Sequence, residues 1–372
     1  MNATDKTTLP APVQLLLEAA QRAPSADNTQ PWSFSWDGHA LHVGFDPARI
    51  EGHVFTPESR ASQLSMGAIY ENIQQVARTA GLTLGGASPS SQVTTNLRMV
   101  VPRLSLSGIA RDEWITAQRA HPVFERHTNR EVYTRDPLPN DLLGRLEGLQ
   151  QDSTCVKVFS QRRDIKRIAS LVRLASEARF RTRELHEWLY GSLRFPGDGM
   201  PTDDGLALET LGLPPGGGAM LKALTNWGTM SRLNRFKLFK LLALMETVTF
   251  QQAPALVAIL APKSPEHGHQ AQLFAAGQLM ERAWVAINEA GFAAHPSYVI
   301  TDQLDRLEAG KVPLELRATV GELQRSSNGA FVEGGHALCV LFRVGRAKRE
   351  AVRSRRRPLH AMLSVQAKGV AA

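Results

Sequence analysis

Two segments of this chain echo each other at a distance of 210 residues. GAIYENIQQVARTAGL at 67–82 and GQLMERAWVAINEAGF at 277–292 align without a gap, sharing Gly67/Gly277, Glu71/Glu281, Ala80/Ala290 and Gly81/Gly291. Each reads as a helix that stops at a C-cap glycine. Four identities in sixteen fit two unrelated helices with similar ends, but the shared glycine–helix–glycine frame points to two related halves. The 372 residues are enough for one large domain or two ordinary ones.

The pattern between and around the echoes is mixed. Helices are predicted over 12–22, 62–80, 140–150, 163–180, 180–190 and 270–290, and strands over 97–105, 155–160, 253–261 and 336–344. Trp32, Phe34 and Trp36, a turn at Asp37-Gly38, then Leu41, Val43 and Phe45 read as a hairpin. Residues 191–230 carry FPGDGMPTDDG and LPPGGG and read as a lid or binding loop, or a disordered excursion. The helix predicted over 231–248 interleaves Arg232, Arg235, Lys237 and Lys240 with six Leu and Phe residues. It can lie on a membrane surface or pack its apolar face inward, and the inward reading is preferred.

Composition removes whole classes of function. A chain 43% hydrophobic and 21% charged is neither disordered nor collagen-like nor heptad-dominated. Lys and Arg outnumber Asp and Glu 43 to 35, a formal +8, which raises nucleic acid, acidic membranes and phosphate ligands as partners. Residues 346–357 alone hold seven Lys/Arg and one Glu, so the rest of the chain is close to balanced. No helix-turn-helix, zinc finger or aromatic-interleaved basic strand supports a specific nucleic-acid role. Cys155 and Cys339 sit in strand-like contexts without CxxC spacing, so no zinc or iron–sulfur site is expected and a cytoplasmic location is. His267-Gly-His269 lacks a third ligand, and Asp203-Asp204-Gly205 lacks the other ligands of a Ca²⁺ loop. The N-terminal residues do not read as a secretory signal, and no apolar run approaches the ~20 residues that span a bilayer. Neither paired-carboxylate nor Ser/His/Asp catalysis has specific support.

Four segments carry candidate chemistry. Ala23–Trp32 (APSADNTQPW) is a proline-bracketed loop of short polar residues, able to cradle an anion or to serve as a connector anchored by Trp32. Arg126-His127-Thr128-Asn129-Arg130 sets two guanidinium forks around a hydroxyl and an amide; its alternative is a solvated basic turn. Gly291–Tyr298 (GFAAHPSY) is a tight turn with small residues that admits a planar ligand. The basic segment 346–357 is the fourth, with a solvated tail as its alternative.

Taken in this order, the segments resemble the nitroreductase-like FMN-binding superfamily. APSADNTQPW is similar to that family's APSxxNxQPW signature, and ERHTNREVYTRDPLP to its R-x-S/T-x-R segment. GQLMERAWVAINEAGF is similar to its glycine-to-glycine helix, and VGRAKREAVRSRRRPL to its C-terminal phosphate-arginine segment. In ordinary members the arginine segment comes first and two identical chains share the flavin. Here the loop comes first and each motif occurs once, which resembles the single-chain, Acg-like branch. The resemblance implies an α+β fold of two related halves, 1–120 and 121–372. Each half has a mostly antiparallel sheet flanked by helices, and they form an internal pseudo-dimer with a lid insertion at 191–250.

The resemblance also implies one composite FMN site. Ser25, Ala26 and Asn28 would face the phosphate and ribityl chain. Arg126, Thr128 and Arg130 would contact phosphate and pyrimidine edge, with Asn129 at the variable position. Backbone around Ala293, Ala294, His295 and Pro296 would lie near the flavin N5. Arg355, Arg356 or Arg357 would complete the phosphate clamp, Arg356 by preference. His127 and His295 depart from the pattern, His295 reading as a spacer rather than a proton donor. The implied activity is an FMN-dependent oxidoreductase of nitroreductase type acting on a small organic molecule, with NAD(P)H as a transient electron donor. No catalytic side chain and no metal are implied, and the chain would be a monomeric pseudo-dimer or a homodimer. The alternative is a protein that stores FMN under a lid.

Overall fold

Both echo segments are helical, over Arg60–Thr79 and His269–Glu289, the two longest helices of the computed structural model, which describes residues 9–85, 96–104, 109–263, 269–331 and 335–365. The Ser59 hydroxyl caps the first helix by accepting from the Ser62 amide at 3.3 Å. Gly81 (φ +69°) and Gly291 (φ +77°) end the two helices in left-handed backbone. Past each glycine the chain closes the same six-to-one bond, Leu82 N to Ala77 O (2.8 Å) and Phe292 N to Ile287 O (3.1 Å).

The helices pack against each other at Gly67 and Gly277. A Cβ on Gly67 would fall onto the Phe274 carbonyl oxygen and within 2.9 Å of Gly277 Cα; one on Gly277 would fall onto the Leu64 carbonyl oxygen. The backbones touch here because neither residue has a side chain.

Eleven strands are described: β1 Trp32–Trp36, β2 Ala40–Phe45, β3 Leu97–Val100, β4 Gln150–Gln151, β5 Thr154–Phe159, β6 Leu193–Arg194, β7 Leu206–Ala207, β8 Ala255–Pro262, β9 Ala293–Ser297, β10 His336–Gly345 and β11 Leu363–Val365. They form a sheet in the order β11-β1-β2-β3, a second in the order β4-β5-β8-β10-β9, and the small pair β6-β7. Gly85 bridges antiparallel to Val100 at the free side of β3. The first sheet is therefore built as strand, strand, echo helix, edge residue, inner strand. The second is built in the same order as β5, β8, echo helix, β9, β10, with antiparallel neighbours, as β1, β2, β3 and Gly85 are in the first. A three-residue turn joins β1 to β2, while residues 160–254 join β5 to β8.

β8 (ALVAILAP) is an unbroken apolar run because both of its faces are covered. Ala255, Val257 and Ile259 face the core that holds the two echo helices. Leu256, Ala258 and Leu260 face a second core built with the Arg162–Arg179 and Arg317–Phe331 helices.

Most sequence-predicted elements stand within two residues of their expected limits. The strand expected over 97–105 ends at Val100, and residue 105 and His267 lie outside the described residues. Three expectations need correction. Residues 191–230 are not one irregular loop, since they hold β6, β7 and the helix Gly217–Ala223. The single helix at 231–248 is two, Trp227–Asn234 and Leu238–Gln252. The Asn234 side chain bonds the Phe180 carbonyl (2.9 Å) and Lys237 turns through φ +63°, which breaks the helical path. Finally, 346–357 is not a free tail: it threads back to the first sheet, where β11 lies parallel to β1.

The glycine contact gives a stability test. Gly67→Ala should cost about 2–3 kcal/mol by overpacking. Gly81→Ala, with open space at its Cβ but φ +69°, should cost about 1–2 kcal/mol of backbone strain. Urea denaturation midpoints of the two variants check the order.

Candidate functional site

The loop at 23–31 is held in an unusual backbone. Asp27 (φ +47°), Asn28 (φ +57°) and Gln30 (φ +49°) are all left-handed without being glycine, a conformation that persists only when its surroundings enforce it. The Ser25 hydroxyl accepts from the Gln30 amide at 3.0 Å. The Asn28 side-chain amide donates to Gly205 O (3.0 Å) and Arg355 O (3.1 Å), and Gly205 N returns a bond to Asn28 O (3.2 Å). The fully buried Gln30 side chain donates to Asp203 O (2.9 Å) and accepts from Arg357 N (2.9 Å). The loop is thus gripped by the 160–254 segment and by the returning C-terminal segment.

Behind it lies a cluster of arginines. Arg126 is buried, its Nε 2.7 Å from the buried Glu281 carboxylate, its guanidinium 4.3 Å over the Trp284 ring, and one Nη on the Arg22 carbonyl. Arg356 donates to Asn28 Oδ1 and, at 3.3 Å, to Arg22 O. Burial followed by repulsion from Arg126 lowers the Arg22 guanidinium to about 10; burial, Arg126 and Arg22 lower Arg356 to about 9. Both remain charged at neutral pH. Burial raises Glu281, which Arg126 opposes. With Glu281 ionised, three guanidiniums face one carboxylate, because Arg353 is matched by Glu125 at 2.6 Å. The Nε groups of Arg22 and Arg356 are buried and meet no acceptor among the described residues. Two surplus positive charges with unspent donors suit a phosphate monoester, which carries about −1.5 to −2 at pH 7.

A second basic group adjoins the first through residues 126–131. Asn129 N donates to Ala294 O (3.0 Å) and Trp284 Nε1 to His127 O (3.2 Å), seating this segment against β9 and the 269–289 helix. Arg343, buried on β10, donates to Arg130 O (2.8 Å), Glu131 O (2.9 Å) and His295 Nδ1 (3.1 Å), and lies 4.2 Å over the Tyr133 ring. Burial, then Arg343, Arg130 and Arg179, holds His295 well below its ordinary value, so it is neutral at pH 7. Its Nδ1 accepts from Arg343, which leaves the proton on Nε2. Arg130 donates to Thr210 O (3.2 Å) and is electrostatically coupled to Asp27, whose carboxylate accepts from Trp188 Nε1 at 2.8 Å. Trp188 meets His53 and Phe55 edge-on at 4.5 and 5.9 Å, and Phe55 meets Tyr298 at 6.1 Å. Asp27, His295, Tyr298 and Arg356 are each half-buried.

Of the sequence-predicted residues, Ser25, Ala26 and Asn28 sit on the strained loop, and Arg126 and Arg356 share the arginine cluster. Asn129 and Ala294 are bonded, and Arg130 and His295 are joined through Arg343. Thr128 lies partly buried among them, and Pro296 is paired with Phe342 in the sheet. Arg355 is not part of the cluster; it is exposed and bonds Thr202. Sequence reasoning missed Arg22, Asp27, Gln30, Trp188, Glu281 and Arg343. Arg343 was detectable as the one charge inside ALCVLFRVG, an otherwise apolar strand. Among the described residues no cluster of three His, Cys, Asp or Glu can hold a metal, and no helix is long and apolar enough to cross a membrane.

No protein-family model matches the chain. A Mycobacterium tuberculosis protein named "Uncharacterized protein MT1398" is 25% identical over 360 residues, which is 94% of this chain and 48% of the relative. The chain therefore spans about half the length of the curated relative it matches. Among solved structures, similarity extends to the FMN-dependent nitroreductase NfnB from Mycobacterium smegmatis in complex with NADPH (16% identity, 66% of this chain and 95% of that one, TM-score 0.35). It extends also to a BluB-like flavoprotein from Clostridium difficile 630 (12%, 65% and 96%, TM-score 0.37) and a nitroreductase-like family protein from Bacillus cereus (13%, 65% and 92%, TM-score 0.34).

The Arg126–Glu281 pair bears on how the site is tested. Arg126→Met strands a buried carboxylate and should cost about 3–5 kcal/mol, whereas Arg126→Met with Glu281→Leu should recover most of it. Urea unfolding of the single and double variants checks this.

Proposed function

We propose that this chain is an FMN-dependent oxidoreductase of the nitroreductase type with one composite flavin site. The observation that carries the reading is the surplus of positive charge at buried Arg126 and half-buried Arg22 and Arg356, beside the strained 25–30 loop. The shared build of the two sheets and the glycine contact of the echo helices support a further reading. In it the chain is an internal pseudo-dimer, with halves at about 1–120 and 121–372, and the 191–250 insertion acts as a lid.

The residues present fit FMN. Arg22, Arg126 and Arg356 would hold its phosphate, and Ser25, Ala26 and Asn28 the adjoining polar chain. Arg130, Thr128 and the backbone at 293–296 would meet the ring's polar edge. When bound, FMN supplies the hydride and single-electron chemistry. The protein's own groups then act on charge, orientation and water. Arg130 and Arg343 impose a positive field that favours added negative charge nearby. Neutral His295 offers an N–H rather than a mobile proton at pH 7. Phe55, Trp188 and Tyr298 form an apolar wall against water. Residues 203–205 and 210, bonded to the 28–30 loop and to Arg130, restrict entry, so NAD(P)H and the small organic substrate would approach when that segment shifts.

A decisive first test is the purified protein's absorption spectrum and the flavin it releases on denaturation. The reading expects a yellow protein that releases FMN; a colourless protein that takes up no added FMN overturns it. Arg356→Met sharpens the test. Removing one of three mutually repelling guanidiniums offsets the lost bond to Asn28 Oδ1, so the apoprotein's stability should change by no more than about 1–2 kcal/mol while FMN binding weakens by at least about tenfold. Steady-state NAD(P)H oxidation with a quinone or nitroaromatic acceptor then separates turnover from flavin storage. Bound FMN without turnover, before and after trimming 195–225, would favour storage.

A further inference from the structure

The helix Leu238–Gln252 is apolar on two opposite faces. Phe239, Leu242, Ala243, Thr247 and Phe250 are buried, the helix lying along the Arg162–Arg179 helix. Leu241 (54% exposed), Leu244, Met245 and Val248 form a stripe on the other side, at the i, i+3, i+4, i+7 spacing of a single helix face. A helix with one buried face normally turns a polar face to water. The preceding corner extends the stripe, with Leu233 and Phe236, the latter 84% exposed. Six of the twelve exposed large apolar side chains among the described residues fall between 233 and 248.

The charge around this stripe has one sign. Arg232, Arg235, Lys237 and Lys240 are all exposed, and none makes an ion pair among the described residues. From residue 210 to residue 245 the sequence contains no Asp or Glu. An exposed apolar stripe rimmed by unpaired cations matches an anionic lipid surface, where aliphatic and aromatic groups enter the headgroup boundary and Lys and Arg reach the phosphates. A second copy of the chain fits poorly, because two such faces would bring four cations against four. Nucleic acid would leave the apolar stripe unused.

We propose that the 232–248 face docks the protein onto anionic bilayers as a peripheral, non-spanning contact. The inference stands on exposure and charge alone and does not depend on the flavin reading.

Co-sedimentation of the full chain with phosphatidylcholine vesicles, and with vesicles containing one quarter phosphatidylglycerol, tests it. The parent should pellet with the anionic vesicles at least tenfold more than with the neutral ones, and 0.5 M salt should remove the preference. Lys237→Glu with Lys240→Glu should reduce binding about thirtyfold, as should Leu241→Ser with Met245→Ser, with circular dichroism unchanged in both. Equal binding to both vesicles, no binding to either at low salt, or full binding by either double variant overturns the proposal. So does concentration-dependent self-association that Leu241→Ser with Met245→Ser abolishes while the parent ignores vesicles.

Discussion

At Gly67 and Gly277 two long helices meet with backbone against backbone, and the rest of the molecule is arranged around that approach. Any side chain there would drive the helices apart. Because they lie so close, Glu71 and Glu281, one turn beyond each glycine, are carried into the interior, where each must find a cation. Glu71 meets Arg282 of the facing helix at 2.8 Å. Glu281 meets Arg126, which arrives from outside the helix pair and places the candidate site at this seam. The chemistry proposed for the chain thus depends on a steric fact several residues away.

The two ends of the seam serve different purposes. Equivalent C-cap geometry sends the chain into Gly85 on one side and into β9 on the other, and both become sheet edges antiparallel to an inner strand. On the first side the edge is a single bridge. On the second it is a full strand carrying His295, backed by Arg343. The hairpin position is likewise a short turn in one unit and a run of helices in the other, and that run supplies Trp188, Asp203, Gly205 and Thr210 to the site. The long connection lies on one side only, and the polar residues of interest gather on that side.

Much of this was legible in the sequence. Alternation marked β1 and β2, glycines marked the helix ends, and an unbroken apolar run marked β8. Each of these signals is local, a matter of period or of one residue's conformational freedom. What escaped was set by distant partners. Nothing near Arg22 reveals that its carbonyl receives Arg126 and Arg356, and nothing near Asp27 reveals Trp188. The split at Lys237 was hidden because its cause is the Phe180 carbonyl, 54 residues before Asn234. Charge density marked the basic segment 346–357, but charge alone left a solvated tail open beside the clamp that the resemblance implied, because the segment's pairing with β1 lies more than 300 residues away. Of the residues the motifs singled out, the structure brings most near one another, while Arg355 faces away.

The return of the chain to its own beginning has a consequence for assembly. Phe34 pairs with Leu363, and Asn28 with Arg356 across 328 residues. Contacts of that span form late, because closing so long a loop costs entropy before any bond rewards it. During synthesis the first sheet must wait with its β1 edge uncovered, and the strained loop beside it lacks the second of its two grips. The loop is therefore fully held only once residues 355–365 are available. A fragment lacking the returning strand would keep most of its core and lose that hold on the loop.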